Sequence, residues 1–168
     1  MIDDKKNAPV KLAEEGIDYS GRPFGYLAPE SETAMVCQQD PVIRERIVHD
    51  LKKMGFEIAQ PASFRDALKF MRFHVFNLIV VDEDFDTGVW ETNNVLRYLE
   101  GLGMSVRRKS FVVLITATLA TMDSIQAYNR SVNLAINKRD VIGVEQILRQ
   151  AMAEYDDFYH VYREYLRL

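Results

Sequence analysis

A chain of 168 residues with 48% hydrophobic content is the size of one domain with a core of its own. Its formal net charge of -4 and pI near 5.4 provide no strong positive field for general binding to nucleic acid or to an anionic membrane. The one cysteine, Cys37, has no partner for an internal disulfide; it sits in an apolar run and reads as a core residue of a cytoplasmic protein. Met1 to Lys11 is polar with no apolar stretch behind it, unlike a signal peptide, and no run approaches the length of a membrane span.

Residues 1–32 differ in texture from the rest of the chain. "MIDDKKNAPVKLAEEG" is charged and weakly periodic and reads as a tail. "IDYSGRPFGYLAPESET" mixes glycine and proline with Tyr19, Phe24 and Tyr26, and reads either as an irregular arm anchored by its aromatics or as a linker to a neighbouring domain. From Thr33 the pattern alternates. "TAMVC" is a short strand, and "DPVIRERIVHDLKKMG" is a helix with Asp40 as N-cap, Pro41 at its first position and Gly55 at its end. "FEIAQ" is a strand, "SFRDALKFMRFH" a helix capped by Ser63, and "NLIVVD" an apolar strand of the kind found in parallel sheets. The stretch "WETNNVLRYLEGLG" is predicted helical, "SFVVLITAT" a strand, "TMDSIQAYNRS" a helix and "NLAIN" a strand. Everything from about Val141 is one long final helix. Strands alternating with helices predict an α/β domain with a doubly wound, five-stranded parallel sheet over residues 33–153. Residues 154–168 extend the last helix.

In such a sheet, chemistry sits at the carboxyl ends of the strands near the topological switch point. Those ends carry Gln38, Gln39 and Asp40, then Asp82 to Asp86, then Thr116 to Thr118, then Asn137 to Asp140. In this order and spacing the chain resembles the receiver domain of bacterial response regulators, a flavodoxin-like fold, over about residues 33–153. The resemblance implies a phospho-acceptor position at Asp82 in "NLIVVDEDFD", a switch hydroxyl at Thr116 and a phosphate-pairing lysine at Lys138. The acidic pair that helps a receiver bind magnesium falls on Gln38 and Gln39.

Amide oxygens carry no charge to offset magnesium's loss of its water shell, so this departure weakens the metal site. Asp40 is already occupied as a helix cap. The expectation is no cofactor, with magnesium only if Glu83 or Asp84 compensates for the lost acids. Otherwise Asp82 and Lys138 form a structural pair, while Glu83, Asp84 and Asp86 sit hydrated in the loop beyond.

Other candidates are weaker. His49, His74 and His160 are scattered without a second ligand at metal spacing, and "CQQDP" lacks the glycines of a phosphate loop. "SVRRKS" reads as a solvated basic turn, or as a contact for an acidic partner. The final helix carries a heptad-like seam through Val144, Leu148, Ala151, Tyr155, Phe158, Tyr162 and Tyr165. Beyond Ala153 its aromatics need a cover, either a second protomer in a homodimer or the arm around Phe24 and Tyr26.

The sequence thus predicts a receiver-like signalling domain with a degenerate phosphorylation site. It would act as a non-enzymatic protein-interaction module for a partner in a signalling pathway, without nucleic acid or membrane. The alternatives are a working single-domain response regulator phosphorylated on Asp82, and a small flavodoxin-like enzyme or nucleotide-binding protein.

Overall fold

The computed structural model describes residues 31–87 and 92–166. The expected arm, with Tyr19, Phe24 and Tyr26, lies outside the described residues apart from Ser31 and Glu32. The strands are β1 (Thr33–Cys37), β2 (Glu57–Ala59), β3 (Leu78–Asp82), β4 (Phe111–Thr116) and β5 (Leu134–Asn137), in the order β2-β1-β3-β4-β5. Every neighbouring pair is parallel. The order reverses between β1 and β3, so a crevice opens where Cys37 pairs with Val81 and the chain runs on into Gln38 and Asp82.

Both faces of the sheet are covered because successive side chains along a strand point to opposite sides. Ala34, Val36, Leu78, Val80, Val113 and Ile115 pack on one face against Ile47 and Leu51 of α1 (Pro41–Lys53) and Val144 and Leu148 of α6 (Val144–Leu166). On the other face Met35, Cys37, Ile79, Val81 and Leu114 meet three helices: α2 (Phe64–Phe73), α3 (Asn94–Glu100) and α5 (Ser124–Asn129). This double burial explains why β1, β3, β4 and β5 read as unbroken apolar runs.

Local chemistry sets the helix boundaries. Asp40 accepts hydrogen bonds from the N–H groups of Val42 and Ile43, and Gly55 turns the chain out of α1 at φ 93°, a conformation that favours glycine. The helix predicted over Trp90–Gly103 is shorter than its pattern, because Asn93 caps it and accepts from Val95 and Leu96. Likewise the helix predicted over Thr121–Ser131 is confined to α5 by the cap at Asp123. The "SVRRKS" stretch is not a plain turn: its start lies in a short α4 (Met104–Arg107). Arg107 there donates to the carbonyls of Ser110 and Ser131 at 2.9 and 2.8 Å and joins two loops. The last helix is preceded by a 3-10 segment, Lys138–Gly143, before α6 begins at Val144.

Candidate functional site

The carboxyl edge of the sheet gathers the residues that end the apolar runs, and Asp82 stands at its centre. Asp82 is buried, and each of its carboxylate oxygens is engaged. Oδ2 accepts from the Gln38 amide nitrogen at 2.5 Å; Oδ1 accepts from the Asp84 N–H at 2.9 Å and lies 3.1 Å from Lys138 Nζ. Lys138 also reaches Asp84 at 2.9 Å. Burial alone would lower the lysine's pKa, but hydrogen bonds and charges from Asp84 and Asp82 outweigh it and hold the ammonium above the usual lysine range.

The glutamines play unequal parts. Gln38 is buried: its amide nitrogen faces Asp82 and its amide oxygen accepts the Asp40 N–H at 3.0 Å. Gln39 is exposed, and Asp40 is spent on capping α1. Among the described residues no three His, Cys, Asp or Glu side chains converge as they would around a metal ion.

Glu83 departs from expectation. Instead of lying hydrated in the loop with Asp84 and Asp86, it is buried and turned toward the end of β4. One carboxylate oxygen accepts the Thr116 hydroxyl at 2.6 Å and the other accepts the Ala117 N–H at 2.7 Å. Arg130 lies 3.8 Å away on the same side. This arrangement follows from the backbone: Glu83 N–H donates to the Ile115 carbonyl and so continues the ladder beyond Asp82 on the β4 side.

Two asparagines hold the edge together, Asn137 at a strand end that the sequence marks and Asn93, which composition and motif did not mark. The fully buried Asn93 donates to the carbonyls of Asp82 and Glu83 at 3.0 and 3.2 Å while its oxygen caps α3, which ties the site to that helix. Asn137 donates to the Leu119 carbonyl at 2.7 Å and accepts the Arg139 N–H. The signal for Asn93 was present in "TNNV", where an asparagine precedes the first apolar helical position.

Comparison with solved structures decides what this arrangement is built on. The chain is similar to a response regulator from Thermotoga maritima, at 17% identity and a TM-score of 0.57, over 73% of this chain and 98% of that one. It is similar also to a CheY-like response regulator receiver domain from Methylobacillus flagellatus, at 18% identity and 0.55, over 73% and 99%. A sensor protein from Polaromonas sp. JS666 aligns at 19% identity and 0.56, over 76% and 99%. The fold is that of a response-regulator receiver domain. No family model and no curated protein sequence matches the chain. On the receiver fold, Asp82, Thr116 and Lys138 all lie at the carboxyl edge of the sheet, as their spacing predicts. The Lys138 ammonium is brought onto Asp82, whereas the Thr116 hydroxyl is directed to Glu83.

The far end of α6 divides the predicted seam. Tyr155 packs edge-on to Phe111 with ring centroids 5.3 Å apart and donates its hydroxyl to the Arg108 carbonyl at 3.0 Å. Tyr159 and Tyr162 continue this row, and the Arg108 guanidinium lies over the Tyr162 ring. Phe158 meets Tyr159 edge-on at 5.0 Å, but it and Tyr165 face outward, at 79% and 74% exposure, because the row from Tyr155 to Tyr162 runs through Tyr159. No helix among the described residues is long and apolar enough to cross a membrane.

Proposed function

We propose that this chain is a receiver-like signalling domain that works as a protein-interaction module, without phosphotransfer to Asp82. The observation that carries the reading is the complete engagement of the Asp82 carboxylate by Gln38, Lys138 and the Asp84 N–H. The residues present do not fit magnesium. The position nearest Asp82 offers an amide nitrogen where a hard cation needs anionic oxygen, and its neighbour Gln39 points to solvent. Nor do the acids beyond Asp82 compensate, since Glu83 is turned to Thr116 and Asp84 is paired with Lys138. No step is assigned to a metal.

Output from such a domain comes from its surface rather than from turnover. Ile125 and Tyr128 on α5 are 74% and 83% exposed, and Phe158 and Tyr165 extend the apolar area along α6. Such a surface suits a protein partner of a signalling pathway, a second copy of the chain, or the arm. Calorimetry with magnesium and incubation with a small-molecule phosphodonor test the proposal. The expected result is no saturable binding at millimolar magnesium and no phosphoryl group on the protein. Magnesium-dependent labelling of Asp82 would overturn it in favour of a working single-domain response regulator.

A further inference from the structure

Glu83 sits in a place that calls for an anion. A carboxylate buried at the end of a sheet is costly unless donors replace its lost water. Here two donors at the end of β4 do so, the Thr116 hydroxyl at 2.6 Å and the Ala117 N–H at 2.7 Å, and the Arg130 guanidinium, 3.8 Å away, adds its positive charge. Glu83 and Arg130 side chains are only 8% and 11% exposed, so solvent screens this arrangement little. The Thr116 oxygen in turn accepts the Thr118 N–H at 3.1 Å, which fixes the hydroxyl's aim and leaves its proton for the anion. Asn93 braces the Glu83 backbone from the opposite side.

We infer that Thr116, Ala117 and Arg130 form an oxyanion-binding site whose resident ligand is the chain's own Glu83 carboxylate. The class of ligand such a site takes once that carboxylate is removed is a small oxyanion of the size of inorganic phosphate: a hydroxyl, a backbone N–H and a guanidinium are all donors, and none recognises a base, a sugar or an apolar group. The inference rests on reading this edge as a receiver-like site that operates without phosphorylation. Its consequence for that reading is specific: the group facing the Thr116 hydroxyl is a covalently attached side chain that does not hydrolyse, so Thr116 is held in one position permanently.

The test is titration of the full chain with inorganic phosphate, followed by the amide resonances of Thr116 and Ala117. Wild-type protein is expected to show no saturable shift, because the site is filled. The variant Glu83→Ala should show a saturable shift at these amides with a Kd on the order of 1 mM, and adding Thr116→Val to it should weaken binding about tenfold. If Glu83→Ala does not fold, Glu83→Ser serves in its place, since its short side chain also vacates the site; phosphate should then bind at the same amides. A folded variant whose Ala117 amide ignores phosphate would overturn the inference, as would wild-type protein that binds phosphate equally well. Phosphorylation of wild-type Asp82 is a separate result, which would sink the functional reading without bearing on the variant titration.

Discussion

Replacing Asp82 by asparagine changes one atom's chemistry at a buried carboxylate engaged by three groups. The substitution removes the charge and leaves an NH2 group that must face either the Gln38 amide or the Lys138 and Asp84 donors, so donor meets donor in both orientations. Losing one partner of a buried ion pair costs about 3–5 kcal/mol when the other charge is stranded. Lys138 is not stranded: it keeps Asp84 at 2.9 Å, and its side chain is 26% exposed. Discounting for that retained pair and for solvent gives a destabilisation of about 2–3 kcal/mol. With an m value of about 2 kcal/mol/M for a domain of this size, the urea midpoint should fall by about 1 M, read by far-ultraviolet circular dichroism. The opposite sign is the refutation. Where several acids crowd without neutralisation, removing one relieves repulsion and stabilises the fold. A variant Asp82→Asn as stable as wild type, or more so, would mean that the Gln38, Asp82 and Lys138 contacts do not hold the site together.

The raised pKa of Lys138 gives a contribution to stability that is complete below the ordinary lysine value of 10.5 and is lost as pH rises through the higher folded value. Lys138→Met should therefore lose less stability than wild type in alkaline thermal melts. Burial lowers the His74 pKa below 6.5, with Glu57 opposing, so its contribution is complete above that pH and is lost as pH falls toward the folded value; His74→Gln should reduce this acid-side loss in the same melts. Asn93→Ala removes a helix cap and two donors to buried carbonyls, and should cost about 2–4 kcal/mol in urea denaturation, while Asn94→Ala, beside it, should cost under about 1 kcal/mol. Sedimentation of the full chain and of a truncation after Ala153 separates the covers for the Phe158 and Tyr165 face. A dimer that becomes a folded monomer identifies a second copy. A monomer whose arm becomes protease-sensitive on truncation identifies the arm, and no change in either leaves the face to a different protein.

The sheet was legible because four of its strands are buried on both faces and so cannot hide their pattern. Asp82 and Lys138 were legible at one edge for a related reason, since each stands just at or past the end of an apolar run that parallel topology brings together, while the resemblance to receiver domains singled out the lysine. Glu83 was not. One residue after a strand, a side chain either enters solvent or turns back, and the choice here depends on the register that sets Asp82 against Ile115 and on a hydrogen bond from Glu83 to that residue. Neither is written in the local sequence. The aromatic row on α6 failed for a third reason. From Tyr155 a step of three reaches Phe158 and a step of four reaches Tyr159, both lead on to Tyr162, and the ring contacts that run through Tyr159 are not written in the local spacing.

Cys37 sits at the end of β1 with no exposed surface, packed on the helical face between its neighbours in the sheet, and burial pushes its thiol far above the usual cysteine range. A thiol reagent therefore reaches it only after β1 has come away from its neighbours in the sheet. Because the chain has no other cysteine, the labelling rate of unmodified protein is a clock for that opening. Substitutions at Asp82, Glu83, Asn93 or Lys138 leave this clock in place, so the same protein samples that report equilibrium stability also report how fast the sheet comes apart.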